Sequence, residues 1–145
     1  MKKDLLFLVV VVLALAVVLV LRAGGGTAAT PGVFDDAYDL DRAMVLSAET
    51  GKPFVAVAPA DWCPPCQTLK RGALSEPEVV AYLREHTIPV YIEESTGIEQ
   101  IRALGVLRYP TTVVLDADSV FGVIEGGKSP GQYLELIRTA IGASG

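Results

Sequence analysis

The sequence predicts an α/β domain, a central sheet with helices on both faces, carried behind one N-terminal membrane-crossing helix. Three observations lead there. Leu5–Leu21 is an unbroken apolar run of 17 residues. Beyond it, segments with helical spacing alternate with short apolar or β-branched runs. Between the two regimes lies a stretch built of Gly, Thr, Ala and Pro.

Whole-chain averages hide this division: 145 residues, 51% hydrophobic, net charge −5. Met1–Ala23 holds Lys2, Lys3 and Arg22 against Asp4, a net of +2. The rest holds nine Lys/Arg against sixteen Asp/Glu, a net of −7. Without the head, the apolar fraction is about 45%, ordinary for a water-soluble domain of about 110 to 120 residues. That is long enough to bury a core. An acidic domain is repelled by phosphate backbones, so nucleic acid is not an expected partner. Two cysteines are too few for a disulfide scaffold, and the apolar content is too high for disorder.

Seventeen apolar residues rise about 26 Å as a helix, near the lower limit for crossing a bilayer. Lys2 and Lys3 before the run hold the N-terminus in the cytoplasm and send the remainder across. An uncleaved anchor and a cleaved signal peptide share this topology. The run is longer than a usual signal core, yet Gly24-Gly25-Gly26-Thr27-Ala28-Ala29 offers small residues to a peptidase. No Cys lies near the end of the run, so a lipoprotein anchor is not supported. Gly24–Gly32 has no apolar residue larger than Ala apart from Pro31 and is expected to be a flexible tether that does not pack. Residues 1–23 are thus a membrane segment, 24–32 a linker and 33–145 the domain.

Within the domain, Asp35–Thr50 is expected to be a helix, with Asp35 and Asp36 in its first turn and Gly51 and Pro53 at its end. Phe54–Ala58, wholly apolar, reads as a strand covered on both faces. Pro64 opens the next helix. Ser75-Glu76-Pro77-Glu78 marks another, with Ser75 as cap and Glu78 three residues on; Val79, Val80, Tyr82 and Leu83 form its apolar side. Ile88–Ile92 and Thr111–Leu115 read as strands, with a short helix, Ile98–Leu104, between them and ended by Gly105. Val120–Ile124 is a fourth strand. Pro130–Ile141 closes the chain as a helix with Tyr133, Leu134, Ile137 and Ile141 on one side. The order α-β-α-β-α-β-β-α places helices on both faces of the sheet.

The chemistry is concentrated in Trp62-Cys63-Pro64-Pro65-Cys66, which contains both cysteines of the chain. A structural zinc site needs four ligands, and only the remote His86 adds to this pair. Covalent haem attachment needs His after the second Cys, where Gln67 stands. A dithiol–disulfide pair at a strand-to-helix junction is the remaining redox reading. A helix N-terminus stabilises a thiolate on Cys63, and Cys66, one turn in, is placed to attack a mixed disulfide there. The alternative is a static staple, but so small a loop removes little unfolded-state entropy.

Ala60-Asp61-Trp62-Cys63-Pro64-Pro65-Cys66, after Lys52-Pro53-Phe54-Val55-Ala56-Val57, resembles the active-site strand and turn of thioredoxin-like proteins. Gly105-Val106-Leu107-Arg108-Tyr109-Pro110 and the following Thr111–Asp116 are similar to that family's cis-proline loop and next strand, and Gly126 to a glycine after its last strand. The likeness spans about Val33–Gly142. It is closest to exported or membrane-tethered members, including the C-terminal domain of the membrane thiol–disulfide interchange reductase, through Ala60–Cys63 and Ser75–Val79.

The resemblance implies a thioredoxin fold with a mixed sheet and no organic cofactor or metal. Cys63 would be the nucleophile and Cys66 the resolving thiol. Pro110 would be a cis-proline beside them, and the backbone of Tyr109 would pair with an extended substrate segment. Trp62 would flank the sulfur. The implied partners are protein disulfides, a membrane protein that donates electrons, and the membrane itself through the N-terminal helix. The domain would lie on the extracytoplasmic, periplasmic side as part of a single-pass membrane protein, or be secreted if the signal is cleaved.

Two departures stand out. Val57 occupies the place, six residues before the first Cys, where many thioredoxins have a buried carboxylate; Lys70 occupies the place of the interchange reductase's other acid. Asp61 is nearby, although on its own it reads as a solvated turn residue. Lys70 lies four residues beyond Cys66, so its ammonium can favour a Cys66 thiolate; on its own it reads as a solvated lysine. Pro64 and Pro65 lack N–H groups, which removes two donors to a Cys63 thiolate and favours a reductant over a strong oxidant. His86 reads as a surface or capping residue, and Asp35-Asp36 and Glu93-Glu94 as solvated faces. The expected activity is protein-disulfide reduction; oxidase or isomerase action and a redox-silent docking module are the alternatives.

Overall fold

The computed structural model describes residues 2–23 and 26–143. Met1, Ser144, Gly145 and the first two residues of the expected linker, Gly24 and Gly25, lie outside the described residues. Helix α1, Lys2–Ala23, is long and apolar enough to cross a membrane, and over residues 3–20 its side chains are not packed against the rest of the chain.

Four strands form one mixed sheet in the order β2-β1-β3-β4, with β1 Phe54–Ala58, β2 Ile88–Tyr91, β3 Thr111–Leu115 and β4 Val120–Glu125. β1 runs parallel to β2 and antiparallel to β3, and β3 runs antiparallel to β4. Every β1 residue is buried, as its unbroken apolar run requires. Alternation sends its side chains to two cores. Val55 and Val57 join Leu69, Leu74, Val79, Leu83 and Ile137 beneath helices α3 (Pro64–Arg71), α4 (Pro77–His86) and α6 (Pro130–Gly142). Phe54, Ala56 and Ala58 join Leu40, Ala43, Ile101 and Val113 beneath α2 (Leu40–Thr50) and α5 (Glu94–Ala103). The connection from β1 to its parallel neighbour β2 passes through α3 and α4. This crossover carries the cysteine motif on the first helical turn after the central strand.

The bounds of β1 and β3 agree with the sequence reading, and three helix starts do not. The first domain helix begins at Leu40 rather than Asp35. Tyr38 is held extended by a parallel bridge to Val90, so the helix starts beyond it, and the Asp39 carboxylate caps it by accepting from the Arg42 amide at 2.7 Å. α4 is capped at Glu76, not Ser75. Ser75 closes a 3₁₀ turn, Ala73–Ser75, and its hydroxyl donates to the Lys70 carbonyl at 2.6 Å. Pro77 supplies the helix-compatible first position. α5 begins at Glu94, one turn before Ile98, and bends at Gly97, where φ is −121°. There a Cβ would fall 2.2 Å from the Ile92 side chain, so Gly permits the close approach.

The linker also differs from expectation. It has no regular structure over residues 26–31, yet it packs. The Ala28 amide donates to the Gln67 side chain and the Arg71 guanidinium donates to the Gly26 carbonyl. A 3₁₀ turn, Gly32–Phe34, then buries Val33 and Phe34, with Phe34 5.1 Å from the Tyr91 ring.

Candidate active site

Cys63 is the N-cap of α3, with Pro64 and Pro65 in the first helical positions. Its extended backbone (φ −94°, ψ 111°) ends the loop from β1 and aims its side chain back over the helix start. Because the two prolines lack N–H groups, the first helical amide able to serve the Cys63 sulfur is that of Cys66, which donates to it at 3.3 Å. The Cys66 sulfur in turn accepts from the Ala60 amide at 3.5 Å. The sulfurs are joined as a disulfide, with Cα atoms 5.3 Å apart. Both cysteines are buried with Ala60, and Tyr109 packs against this cluster.

The second loop meets the first here. Tyr109–Pro110 is a cis peptide bond, and the Gly126 amide donates to the Pro110 carbonyl at 2.8 Å. Gly126 has φ +76°, a conformation that glycine adopts without strain, so it can turn the chain back from β4 toward this loop. Trp62 and Tyr109 meet edge to face, centroids 5.8 Å apart, although 47 positions separate them in sequence. Trp62 remains 69% exposed and Leu107, two residues before Tyr109, 90% exposed. Trp62, Cys63, Cys66, Tyr109 and Pro110 are thereby brought to one end of the domain, with an apolar rim around the sulfurs.

Asp61 and Lys70 come together on the other flank. Lys70 is buried, only 2% exposed, rather than solvated. Its ammonium donates to Asp61 Oδ1 at 3.0 Å, lies 3.5 Å from Glu93 Oε2 and sits over the Tyr91 ring. Asp61 is still 57% exposed, but it is an ion-pair partner and not merely a solvated turn. Burial lowers the Lys70 pKa, yet its hydrogen bonds to Tyr91 and Asp61 and the nearby charges outweigh it, leaving the ammonium above its ordinary value. Burial raises the Tyr91 phenol, with Lys70 opposing. Val57, where a carboxylate was a family expectation, is fully buried among apolar side chains.

Glu93 is the residue that sequence reasoning missed. Read as part of a solvated acidic run, it is half-buried; Oε2 accepts from the Tyr91 hydroxyl at 3.2 Å, and Oε1 is buried without a hydrogen-bond partner among the described residues. Its place beside Lys70 depends on the ends of β1 and β2 lying together, where the Ile92 amide donates to Val57 and the Glu94 amide to Pro59. Thr27–Thr30 of the linker, Asp61, Lys70, Tyr91, Glu93 and Thr96 line an open polar cleft of about 540 Å³. His86, in contrast, lies at the exposed end of α4, its ring 4.4 Å from Tyr82.

Residues 36–117 match the model of a family described as thioredoxin-like. Among solved structures, a thioredoxin from Thermus thermophilus is similar at 24% identity and a TM-score of 0.64, covering 72% of this chain and 85% of its own. DsbH oxidoreductase is similar at 18% identity and a TM-score of 0.64, covering 80% and 88%. Thioredoxin from Trypanosoma brucei brucei is similar at 20% identity and a TM-score of 0.56, covering 79% and 96%. A search of curated proteins found no match. At these identities, the structural likenesses speak to the fold.

Proposed function

The chain belongs to the thioredoxin-like family, and we propose that it is an extracytoplasmic protein-disulfide reductase anchored to the membrane by α1. One observation carries the exchange chemistry: a Cys63–Cys66 pair at bonding distance on the start of α3, beside the cis Tyr109–Pro110 loop.

In the reducing direction, the Cys63 thiolate attacks one sulfur of a substrate disulfide. A mixed disulfide forms and the first substrate thiolate leaves. Cys66, deprotonated, then attacks the Cys63 sulfur; the Cys63–Cys66 disulfide forms and the second substrate thiolate leaves. The substrate gains two electrons and two protons, and the Cys63/Cys66 dithiol gives up the same two electrons and two protons. A dithiol donor must restore them, and a membrane protein that carries electrons across the bilayer fits an anchored domain. Trp62 and Tyr109 flank the attacking sulfur, and the backbone beside Pro110 aligns an extended substrate segment. The Lys70 ammonium, one turn beyond Cys66, favours the thiolate that resolves the intermediate, while Asp61 holds that ammonium in place.

The sparse donor set around Cys63 supports the reducing direction. A strong oxidant stabilises its reduced thiolate, whereas Pro64 and Pro65 withhold two amides from it. The deciding experiment pairs insulin-disulfide reduction by the protein, against Cys63→Ser, with the redox potential of the pair. Turnover and a potential more reducing than about −150 mV are expected. A more oxidising value would make the protein an oxidase or isomerase, and no turnover would make it a docking module.

A further inference from the structure

The resolving step leaves one proton to be placed. Cys66 must lose its thiol proton to attack the Cys63 sulfur, yet Cys66 is fully buried, so the proton has no direct way into bulk water. Val57, on the strand beneath α3, offers no base. The titratable groups on this side of the sheet are gathered around Lys70, four residues farther along α3. Lys70 is an ammonium and cannot accept. Asp61, from the loop before α3, is 57% exposed and already accepts from Lys70 at 3.0 Å. Burial raises the Tyr91 phenol of β2, so it stays protonated and donates to Glu93. The linker and α5 bring to the cleft only the uncharged hydroxyls of Thr27, Thr30 and Thr96.

Glu93 remains. Tyr91 pairs with Val57 in the β1–β2 register, and Glu93 follows two residues later. The Glu94 amide donates to the Pro59 carbonyl and the Ala60 amide to the Cys66 sulfur, so Glu93 and Cys66 both adjoin the same short end of β1. The Glu93 side chain lies on the α3 side of the sheet, with Oε2 3.5 Å from the Lys70 ammonium. Its Oε1 is buried with no donor among the described residues, which leaves one carboxylate oxygen open to a proton.

We propose that the Glu93 carboxylate takes up the Cys66 proton as Cys66 attacks the mixed disulfide. This role deepens the proposed exchange activity and rests on it. Cys66–SH and Glu93–COO⁻ become Cys66–S⁻ and Glu93–COOH. The Cys66 sulfur then bonds to the Cys63 sulfur, and the substrate thiolate leaves with the electron pair of the broken S–S bond. Glu93 afterwards releases its proton to water through the open cleft. Charge favours this route. Asp61, Lys70 and Glu93 carry −1 between them, and a Cys66 thiolate alone would make that −2. Moving the proton to Glu93 keeps the total at −1, which matters where the dielectric is low. It also relieves the Lys70 ammonium of one of its two counter-ions when the thiolate needs it.

The reduced full-length protein is mixed with dithiobis(nitrobenzoate), which labels Cys63 in a first phase and is expelled by Cys66 in a second. Each phase releases one coloured thiolate, and no protein substrate is needed. In the wild type, the second phase should change little between about pH 6 and 8.5. In Glu93→Gln it should be about thirtyfold slower at pH 7 and rise about tenfold per pH unit, as ionisation of an ordinary thiol dictates. The first phase should be unchanged, and Glu93→Asp should restore a second phase that is flat with pH. A Glu93 that only holds Lys70 in place would change the second phase by the same factor at every pH. That result, or an unchanged rate, would overturn the proposal. A second phase that depends on Glu93 in a protein that reduces no insulin disulfide would retain the proton transfer and remove the reductase reading instead. A wild type without a second phase would overturn both.

Discussion

The two flanks of the disulfide are built from opposite materials. One is an aromatic rim of Trp62 and Tyr109, contributed by two loops, with Trp62 left exposed. The other is a cluster of charge, Lys70 with Asp61, Glu93 and Tyr91, crossed by the chain's own linker. The open flank presents surface that a partner can cover, and desolvation of aromatic anchors is what rewards such a contact. The covered flank has its ammonium satisfied from within, because a buried cation without partners would be costly. On the proposed function, the open flank is the recognition side and the covered flank the tuning side, and substitutions should separate them.

The largest effect should come from the sulfurs, which serve both flanks. Cys63→Ser should reduce disulfide exchange to background, and Cys66→Ser should accumulate a mixed disulfide visible on a non-reducing gel. Next, Lys70→Met tests the tuning side: a shift of one pKa unit at Cys66 would slow resolution of the mixed disulfide about tenfold. Attack by Cys63 on the substrate should be unchanged, and rapid-mixing kinetics would resolve the two steps. An unaltered resolution rate would remove Lys70 from the redox chemistry. Trp62→Ala tests the recognition side, with a loss of about fivefold in the rate on protein disulfides and no change in redox potential. A shifted potential would mean that the two flanks are not separate.

The smallest effect belongs to stability and should leave both flanks intact. Tyr133 is buried, its hydroxyl 2.9 Å from that of Thr112, and burial raises its pKa. The unfolded chain ionises this phenol near its ordinary 10.0, before the folded one does. Its contribution to stability is thus constant below about pH 10 and declines above it. Lys70, also raised, acts in the same direction: the stability from its ammonium is present below its ordinary 10.5 and lost as pH rises through the folded value. Tyr133→Phe should cost about 1 kcal/mol at neutral pH and flatten part of the alkaline decline. Urea unfolding between pH 7 and 11 would measure both.

Local pattern made the recognition side legible in the sequence and left most of the tuning side hidden. The apolar run Phe54–Ala58, Pro64 at a helix start and the Trp62–Cys66 motif are contiguous, so periodicity and turn chemistry suffice to place them. Tyr109–Pro110 was legible through its motif. Lys70 looked solvated because its partners are nine and 23 positions away, and nothing local in Asp61 or Glu93 marks them as its counter-ions. The late start of α2 was hidden for a similar reason, since the bridge that holds Tyr38 extended comes from Val90. The packed linker was the least legible feature. Its composition is that of a free chain, and its anchoring depends on backbone groups that any sequence possesses.

β2, one of the two outer strands of the sheet, bears on how such a domain behaves among its own copies. The amides of Ile88 and Ile92 point to β1, donating to Pro53 and Val57, so by alternation those of positions 89 and 91 point outward. Position 89 is a proline and offers no donor there, while Tyr38 bridges the strand at Val90. Anchored proteins meet one another in two dimensions, where a bare strand edge invites pairing between neighbours. An edge with one donor deleted and its middle occupied resists such pairing, which on the proposed anchoring would keep copies in one membrane from zipping together.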